Sequence, residues 1–407
     1  MSEKFVRRQT REVKVGAVGI GGDNPIRVQS MITEETGNTQ GAVRQIIELH
    51  KAGAEIVRLT TPTMRDAKNL EEIQRELKRQ YEPVPLVADV HHQGKLIAIE
   101  AAKHVDKVRI NPGLFVFHKK TGRPDEYSQN EIDQQREEID RALRPVIEAC
   151  KKEDKRTSMR IGVNHGSLAE RLTVMYGNTP KGMVESAMEY IEICEANDFQ
   201  DLVISMKASR VRDMVSANLL LAETMMERGM DYPIHLGVTE AGNGQSARIK
   251  STAGLSPLLL DGIGDTIRVS LAEDPVAELS VCYDILQACG HRKTKAEIIG
   301  CPGCGRTKFN LPTVVDEVRE VTGHLKGLDI AVMGCVVNGP GENTDADYGY
   351  IGQGGGKIAV MRAGELVKIV PQEKALNVLT DIIKEDGKWV DPPEDKQLRK
   401  FIPITPV

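Results

Sequence analysis

Between residues 26 and 290, short β-rich runs alternate with stretches whose apolar side chains recur at helical spacing. The runs fall at 26–31, 55–60, 85–90, 107–111, 159–164, 202–207, 234–239 and 266–271. Between them, Leu70, Ile73 and Leu77 mark one helix face, and Val184, Ala187, Met188 and Ile191 another. Short strands alternating with helices predict βα units on a parallel sheet. Eight such units in about 250 residues match the size of a (β/α)8, or TIM, barrel of the α/β class. The competing doubly wound sheet lacks its signature, because no G-x-G-x-x-G follows the first strand.

After Gly290 the pattern changes. A brief strand at 297–300 runs into Cys301-Pro302-Gly303-Cys304-Gly305-Arg306. A helix follows, with Pro312 early and Val314, Val315, Val318 and Val321 on its apolar side. A strand at 328–333 leads to Gly334-Cys335-Val336-Val337-Asn338-Gly339-Pro340-Gly341-Glu342. Runs at 348–351, 357–360 and 366–370 predict a small antiparallel sheet covered by a last helix near 371–386. The expected organisation is a barrel over 1–290, an α+β domain over 291–390 and an extended arm over 391–407 that holds four prolines.

The 407-residue chain is 40% hydrophobic and 28% charged, as an ordinary globular protein is. Its net charge of −5 argues against a general nucleic-acid surface, so any basic site must be local. Apolar runs such as Leu258-Leu259-Leu260 are too short to span a membrane. Arg7-Arg8 could open a twin-arginine signal, but no apolar segment follows. These features predict a mature cytoplasmic protein, or an organelle-stroma protein whose transit peptide is missing. Of seven cysteines, Cys150, Cys194, Cys282 and Cys289 lie in helix-like apolar stretches and read as buried thiols.

The predicted strands carry charges where such strands are ordinarily apolar. Arg58, Arg109, Arg160, Lys207 and Arg268 come from five different strands. Burying one guanidinium costs several kcal/mol unless something pairs with it. Five of them near the strand C-termini, where such barrels keep their active sites, point to one anion, and Arg forks suit phosphate oxygens. Salt bridges to Asp89, Asp265 and Glu240 are the structural alternative. Asn111, Asn164, Ser209 and Ser270 would add neutral hydrogen bonds. His91 and His92 point to opposite faces of a strand, so they suit a pocket wall better than a shared metal. Glu240, in a Thr-Glu-Ala-Gly turn among cations, suits a general acid/base or a contact to a substrate hydroxyl.

Cys301 and Cys304 form a C-x-x-C at a strand-to-loop junction, with Cys335 about thirty residues on. The set allows an iron–sulfur cluster, a zinc site or a redox dithiol. A dithiol has no use for Cys335, and closed structural zinc needs a fourth ligand that His291 and His324 are poorly spaced to supply. Three thiolates in Gly- and Pro-rich loops favour a cluster, since the backbone N–H groups there can approach sulfur.

Cys-Pro-Gly-Cys-Gly-Arg followed by Met-Gly-Cys-Val-Val-Asn-Gly-Pro-Gly-Glu resembles the signature of the 4-hydroxy-3-methylbut-2-enyl diphosphate synthase family, in its cyanobacterial two-domain form. Val-Gln-Ser-Met, Arg-Ile-Asn-Pro-Gly, Arg-Ile-Gly-Val-Asn-His-Gly-Ser, His-Leu-Gly-Val-Thr-Glu-Ala-Gly and Gly-Asp-Thr-Ile-Arg-Val-Ser-Leu resemble it too, so the likeness covers roughly residues 8 to 393. It implies a 4Fe-4S cluster held by Cys301, Cys304, Cys335 and Glu342. It also implies reductive opening of 2-C-methyl-D-erythritol 2,4-cyclodiphosphate for isoprenoid biosynthesis, with electrons from ferredoxin or flavodoxin. Arg58, Arg109, Arg160, Lys207 and Arg268 would hold the diphosphate, and Asp89, His91, Asn111, Asn164, His235, Glu240 and Ser270 would line the pocket. The resemblance further implies a homodimer in which one subunit's small domain serves the other's barrel. A non-redox barrel enzyme acting on a phosphate ester, with structural zinc, is the alternative.

Overall fold

The computed structural model describes residues 6–90, 94–116, 126–152, 155–337, 341 and 345–392. The chain divides into two compact units, the division falling between Arg292 and Lys293.

The first unit opens with a hairpin of β1 (Val13–Val15) and β2 (Val18–Ile20), paired Val13 to Ile20 around Gly16. Gly16 takes φ +59, the left-handed turn geometry that glycine adopts without strain. The barrel strands are β3 (Arg27–Met31), β4 (Ile56–Thr60), β5 (Leu86–Val90), β6 (Lys107–Ile110), β7 (Ser158–Asn164), β8 (Leu202–Lys207), β9 (His235–Leu236) and β10 (Thr266–Ile267). Their order is β8-β7-β6-β5-β4-β3-β10-β9, all parallel, and an Ile204–Ile234 bridge brings β8 against the segment entering β9. The eight-stranded barrel is therefore nearly closed.

Helices follow the strands on the outside. Leu70, Ile73 and Leu77 are buried on α2, the second helix of the chain (Met64–Gln80, after α1 at Thr39–Lys51), whose Thr63 and Asp66 form a capping box. The sequence expects strands at 234–239 and 266–271, yet β9 and β10 end after two residues each. Beyond Leu236 the backbones close in: a Cβ on Gly237 would stand 2.8 Å from the Arg268 carbonyl oxygen.

Alternation along the strands sorts the interior by height. Ile56, Val87 and Val203 pack with Val13, Val15 and Ile20 of the hairpin, which makes an apolar floor. Two residues further along β4 and β5 stand Arg58 and Asp89, and four further along β8 stands Lys207. The floor is apolar and the opposite end is charged. Sequence reasoning assigned no role to residues 13–20, which form this plug.

The second unit is a five-stranded mixed sheet, β11 (Glu297–Gly300), β12 (Asp329–Met333), β13 (Tyr348–Gly354), β14 (Lys357–Arg362) and β15 (Glu365–Pro371), in that order. The last three strands are antiparallel, as expected, but β11 and β12 join the same sheet in parallel. The helices Leu311–Thr322 and Gln372–Glu385 bury Val314, Val318, Leu379 and Ile383 against one face of it. Among the described residues no helix is long and apolar enough to cross a membrane.

Candidate functional site

The charged end of the barrel is built around Asp89, which sits at the C-terminal end of β5. Its Oδ2 accepts from Arg58 Nη2 at 2.6 Å and its Oδ1 from Arg109 Nη1 at 2.9 Å. Arg109 Nη2 also donates to the Gly162 carbonyl at 2.9 Å. A Cβ on Gly162 would lie 2.4 Å from Arg109 Nε, so the bare backbone of β7 makes room for the guanidinium.

Arg268 is held by a carboxylate that sequence reasoning missed. Its Nε and Nη2 donate to the two oxygens of Glu278, and its Nη1 approaches Met31 Sδ at 3.3 Å. Glu278 also accepts from the Leu271 N–H and the Ser30 hydroxyl. It lies on the helix Pro275–Ala288, where sequence spacing shows only one more polar position. Asp265, weighed as a partner, instead pairs with Arg7 and accepts from the Ile234 N–H.

Two of the five cations remain. Arg160 is 1% exposed, and its Nε and Nη1 have no partner among the described residues. Lys207 is 7% exposed and likewise has no ion pair or hydrogen bond among them. Five cations thus face two carboxylates. Burial, then Arg58 and Arg109, press Arg160 well below its usual range. Burial and Arg160 do the same to Lys207, and burial and Lys207 hold the His235 imidazole neutral. Burial alone would raise the Asp89 carboxyl, yet Arg58, Arg109 and Arg160 together hold it far below the ordinary carboxylate range. Such a surplus of desolvated positive charge is an anion site in physical terms.

The neutral residues divide. Asn111 is buried and committed locally: its Nδ2 donates to Ser167 Oγ at 3.0 Å and its Oδ1 accepts from the Gly113 N–H. Asn164, Ser209 and Ser270 stand half-buried at the same strand ends. His235 is buried, with Nδ1 3.4 Å from Thr266 Oγ1 and Nε2 without a partner among the described residues. Glu240 is exposed and takes φ +55, a left-handed conformation uncommon for non-glycine residues that Asp198 and Ala363 also adopt. His91 lies outside the described residues. Lys107 and Gln29 are further buried polar residues of the barrel strands. Lys107 was legible, since it stands two positions before Arg109 and so shares its face.

In the second unit, Cys301 follows β11 and Cys335 lies two residues beyond β12, on adjacent parallel strands. The Cys301 N–H donates to Val332 O at 3.3 Å, and the Gly334 N–H donates to Cys301 Sγ at 3.1 Å. Cys304 is exposed; hydrogen bonding from the Arg306 backbone N–H lowers its thiol. Among the described residues no three His, Cys, Asp or Glu are grouped as a metal-holding set, and Glu342 lies outside them. The donor chemistry nonetheless fits a cluster: three thiols at neighbouring strand ends, one already receiving a backbone N–H. The remaining cysteines, Cys150, Cys194, Cys282 and Cys289, are buried in the first unit.

Comparison with known proteins bears on both units. Residues 10–283 match the GcpE TIM-barrel domain, and residues 297–385 match the GcpE protein C-terminal domain. The 4-hydroxy-3-methylbut-2-en-1-yl diphosphate synthase (ferredoxin) of Rippkaea orientalis is 58% identical over 386 residues, covering 95% of either chain. The protein of that name from Synechocystis sp. is also 58% identical over 386 residues, with the same coverage. That of Gloeobacter violaceus is 56% identical over 387 residues, 95% of this chain and 97% of its own. With both units matched and identity of this order over nearly the whole length, the chain belongs to the 4-hydroxy-3-methylbut-2-en-1-yl diphosphate synthase family and is an enzyme of the oxidoreductase type.

Proposed function

We propose that this enzyme reduces 2-C-methyl-D-erythritol 2,4-cyclodiphosphate to 4-hydroxy-3-methylbut-2-enyl diphosphate. The ring is opened and a hydroxyl leaves as water, with two electrons and two protons consumed. The observation that carries the reading is the pair of buried strand cations, Arg160 and Lys207, for which the described residues supply no ion pair. A diphosphate supplies the negative charge they lack, and the names of the relatives supply its class.

Arg58, Arg109 and Arg268, already oriented by Asp89 and Glu278, would clamp the phosphates with little reorganisation. Asn111, Asn164, Ser209, His235 and Ser270 would fix the remaining oxygens, with Asp89 and His91 in the pocket wall. Glu240 would hold or move a proton at a substrate hydroxyl. Cys301, Cys304, Cys335 and Glu342 would hold a 4Fe-4S cluster, which supplies single electrons when bound. The relatives' names support ferredoxin as the donor, with flavodoxin the other candidate. We further propose a cytoplasmic homodimer in which the small unit of one subunit serves the barrel of the other.

Anaerobic purification tests the core of this reading. Brown protein with about four irons per chain, converting the cyclodiphosphate when reductant is added, is the expected result. Colourless protein with one zinc would instead support a non-redox enzyme with a structural metal. Glu342→Gln should keep its iron and lose turnover. Mixing Cys335→Ser with Arg160→Ala subunits should restore activity, and no rescue would count against the shared site.

A further inference from the structure

Below the barrel mouth lie polar atoms that no described residue satisfies. Lys107 is fully buried and its Nζ has no partner; neither do Arg160 Nε and Nη1, His235 Nε2 or either amide atom of Gln29. Branched apolar side chains ordinarily fill this part of such a barrel. Lys107 stands beside Val87 and Ser158, one step toward the floor from the row that holds Asp89, Arg109 and Arg160.

The charged groups on the surrounding strands are Arg58 on β4, Asp89 on β5, Arg109 on its own strand, Arg160 on β7, Lys207 on β8, His235 on β9 and Arg268 after β10. Asp89 is already shared by Arg58 and Arg109, and Glu278 is held by Arg268. Lys107 is thus an amine buried with neither counter-ion nor hydrogen-bond partner among the described residues, which weakens the free protein. Residues that oppose stability in this way are characteristic of binding machinery.

We propose that Lys107 is a positioning residue for the bound diphosphate. It stands one step beneath Arg160 in the strand register, and once protonated it adds to the positive field that holds the anion in place. The inference rests on the reading that the strand-end cations bind a diphosphate. Burial and the Arg160 charge also hold the Lys107 amine well below its usual range. Arrival of the anion should therefore bring a proton with it.

The test is calorimetry of inorganic pyrophosphate binding to anaerobically purified protein, in buffers of differing ionisation enthalpy. Lys107→Met keeps the side-chain length and removes the charge. Wild-type protein should bind with net proton uptake. The variant should bind about tenfold more weakly, lose part of that uptake, and melt at a higher temperature because an unpartnered buried polar group has gone. Unchanged affinity and uptake in K107M overturn the inference and leave the diphosphate reading standing. Weaker binding with a lowered melting temperature marks Lys107 as structural and also overturns it. Wild-type protein that does not bind pyrophosphate overturns both readings.

Discussion

Arg268 and Glu278 form a two-pronged ion pair, with Nε to Oε2 and Nη2 to Oε1 both at 3.1 Å, and Glu278 is 2% exposed. The pair fixes a guanidinium one residue beyond β10, where the Arg268 N–H still donates to the Leu236 carbonyl on the β9 side. A bidentate fork restricts both the position and the plane of the guanidinium, which a single contact would not.

Glu278→Gln should therefore destabilise the protein by about 3 kcal/mol, since one member of a buried pair is left uncompensated. Urea denaturation of both proteins measures it. KM for the proposed cyclodiphosphate substrate should rise as Arg268 loses its fixed orientation. Stability equal to wild type would refute the role assigned to this pair.

Asp89 gives a pH-dependent prediction. Its folded-state value is depressed by three guanidiniums, so the unfolded chain binds its proton more tightly. The stability it contributes is present above the unfolded value, about pH 4, and is lost as pH falls further toward the folded value. Asp89→Asn should melt well below wild type at pH 7, and the gap between the two should narrow below about pH 4. Melting curves taken across that range decide it; a constant gap would mean that Asp89 is not ionised in the native state.

Gly162→Ala is expected to fold but to bind poorly. The added methyl would meet Arg109 Nε at 2.4 Å and push the guanidinium off Asp89 and the Gly162 carbonyl. Pyrophosphate affinity should fall about tenfold or more, as for loss of one charged clamp, while the far-ultraviolet circular dichroism stays native. Gly113→Ala is a contrasting case: its Cβ would fall 1.6 Å from the Ser167 carbonyl oxygen, and soluble protein is not expected.

The cysteines should separate by reactivity once iron is removed with a chelator. Hydrogen bonding from the Arg306 backbone N–H lowers the exposed Cys304 thiol, whereas burial pushes Cys150 and Cys282 up to about 12. Iodoacetamide at pH 7 should label Cys304 first and leave Cys150, Cys194 and Cys282 unmodified. Mass spectrometry of peptides reads the order, and early labelling of Cys282 would contradict its place in the core.

Most of the architecture was legible because its signals are local. Apolar residues at helical spacing, such as Leu70, Ile73 and Leu77, need no distant partner to be recognised, and neither does a cation inside a β-rich run. The strand-end set of Arg58, Arg109, Arg160, Lys207 and Arg268 was therefore visible along the chain, as was the spacing of Cys301, Cys304 and Cys335. That β12 also pairs with β13, joining β11 and β12 to the antiparallel strands in one sheet, was not, because a strand's choice of neighbour beyond its own βα unit leaves no local mark.

What the sequence determined alone was which strands carry charge and where thiols stand. What tertiary structure decided was which charges cancel. Asp89 reaches Arg58 and Arg109 only because three strands lie side by side in register, and Glu278 reaches Arg268 only because its helix packs beside β3. Arg160, Lys207 and Lys107 stay unpaired among the described residues because Asp89, the carboxylate beside them, is already shared by Arg58 and Arg109. Electrostatic pairing depends on distances of a few ångströms between residues far apart in the chain. Composition and spacing do not contain those distances, and so the surplus positive charge at the barrel mouth belongs to the fold.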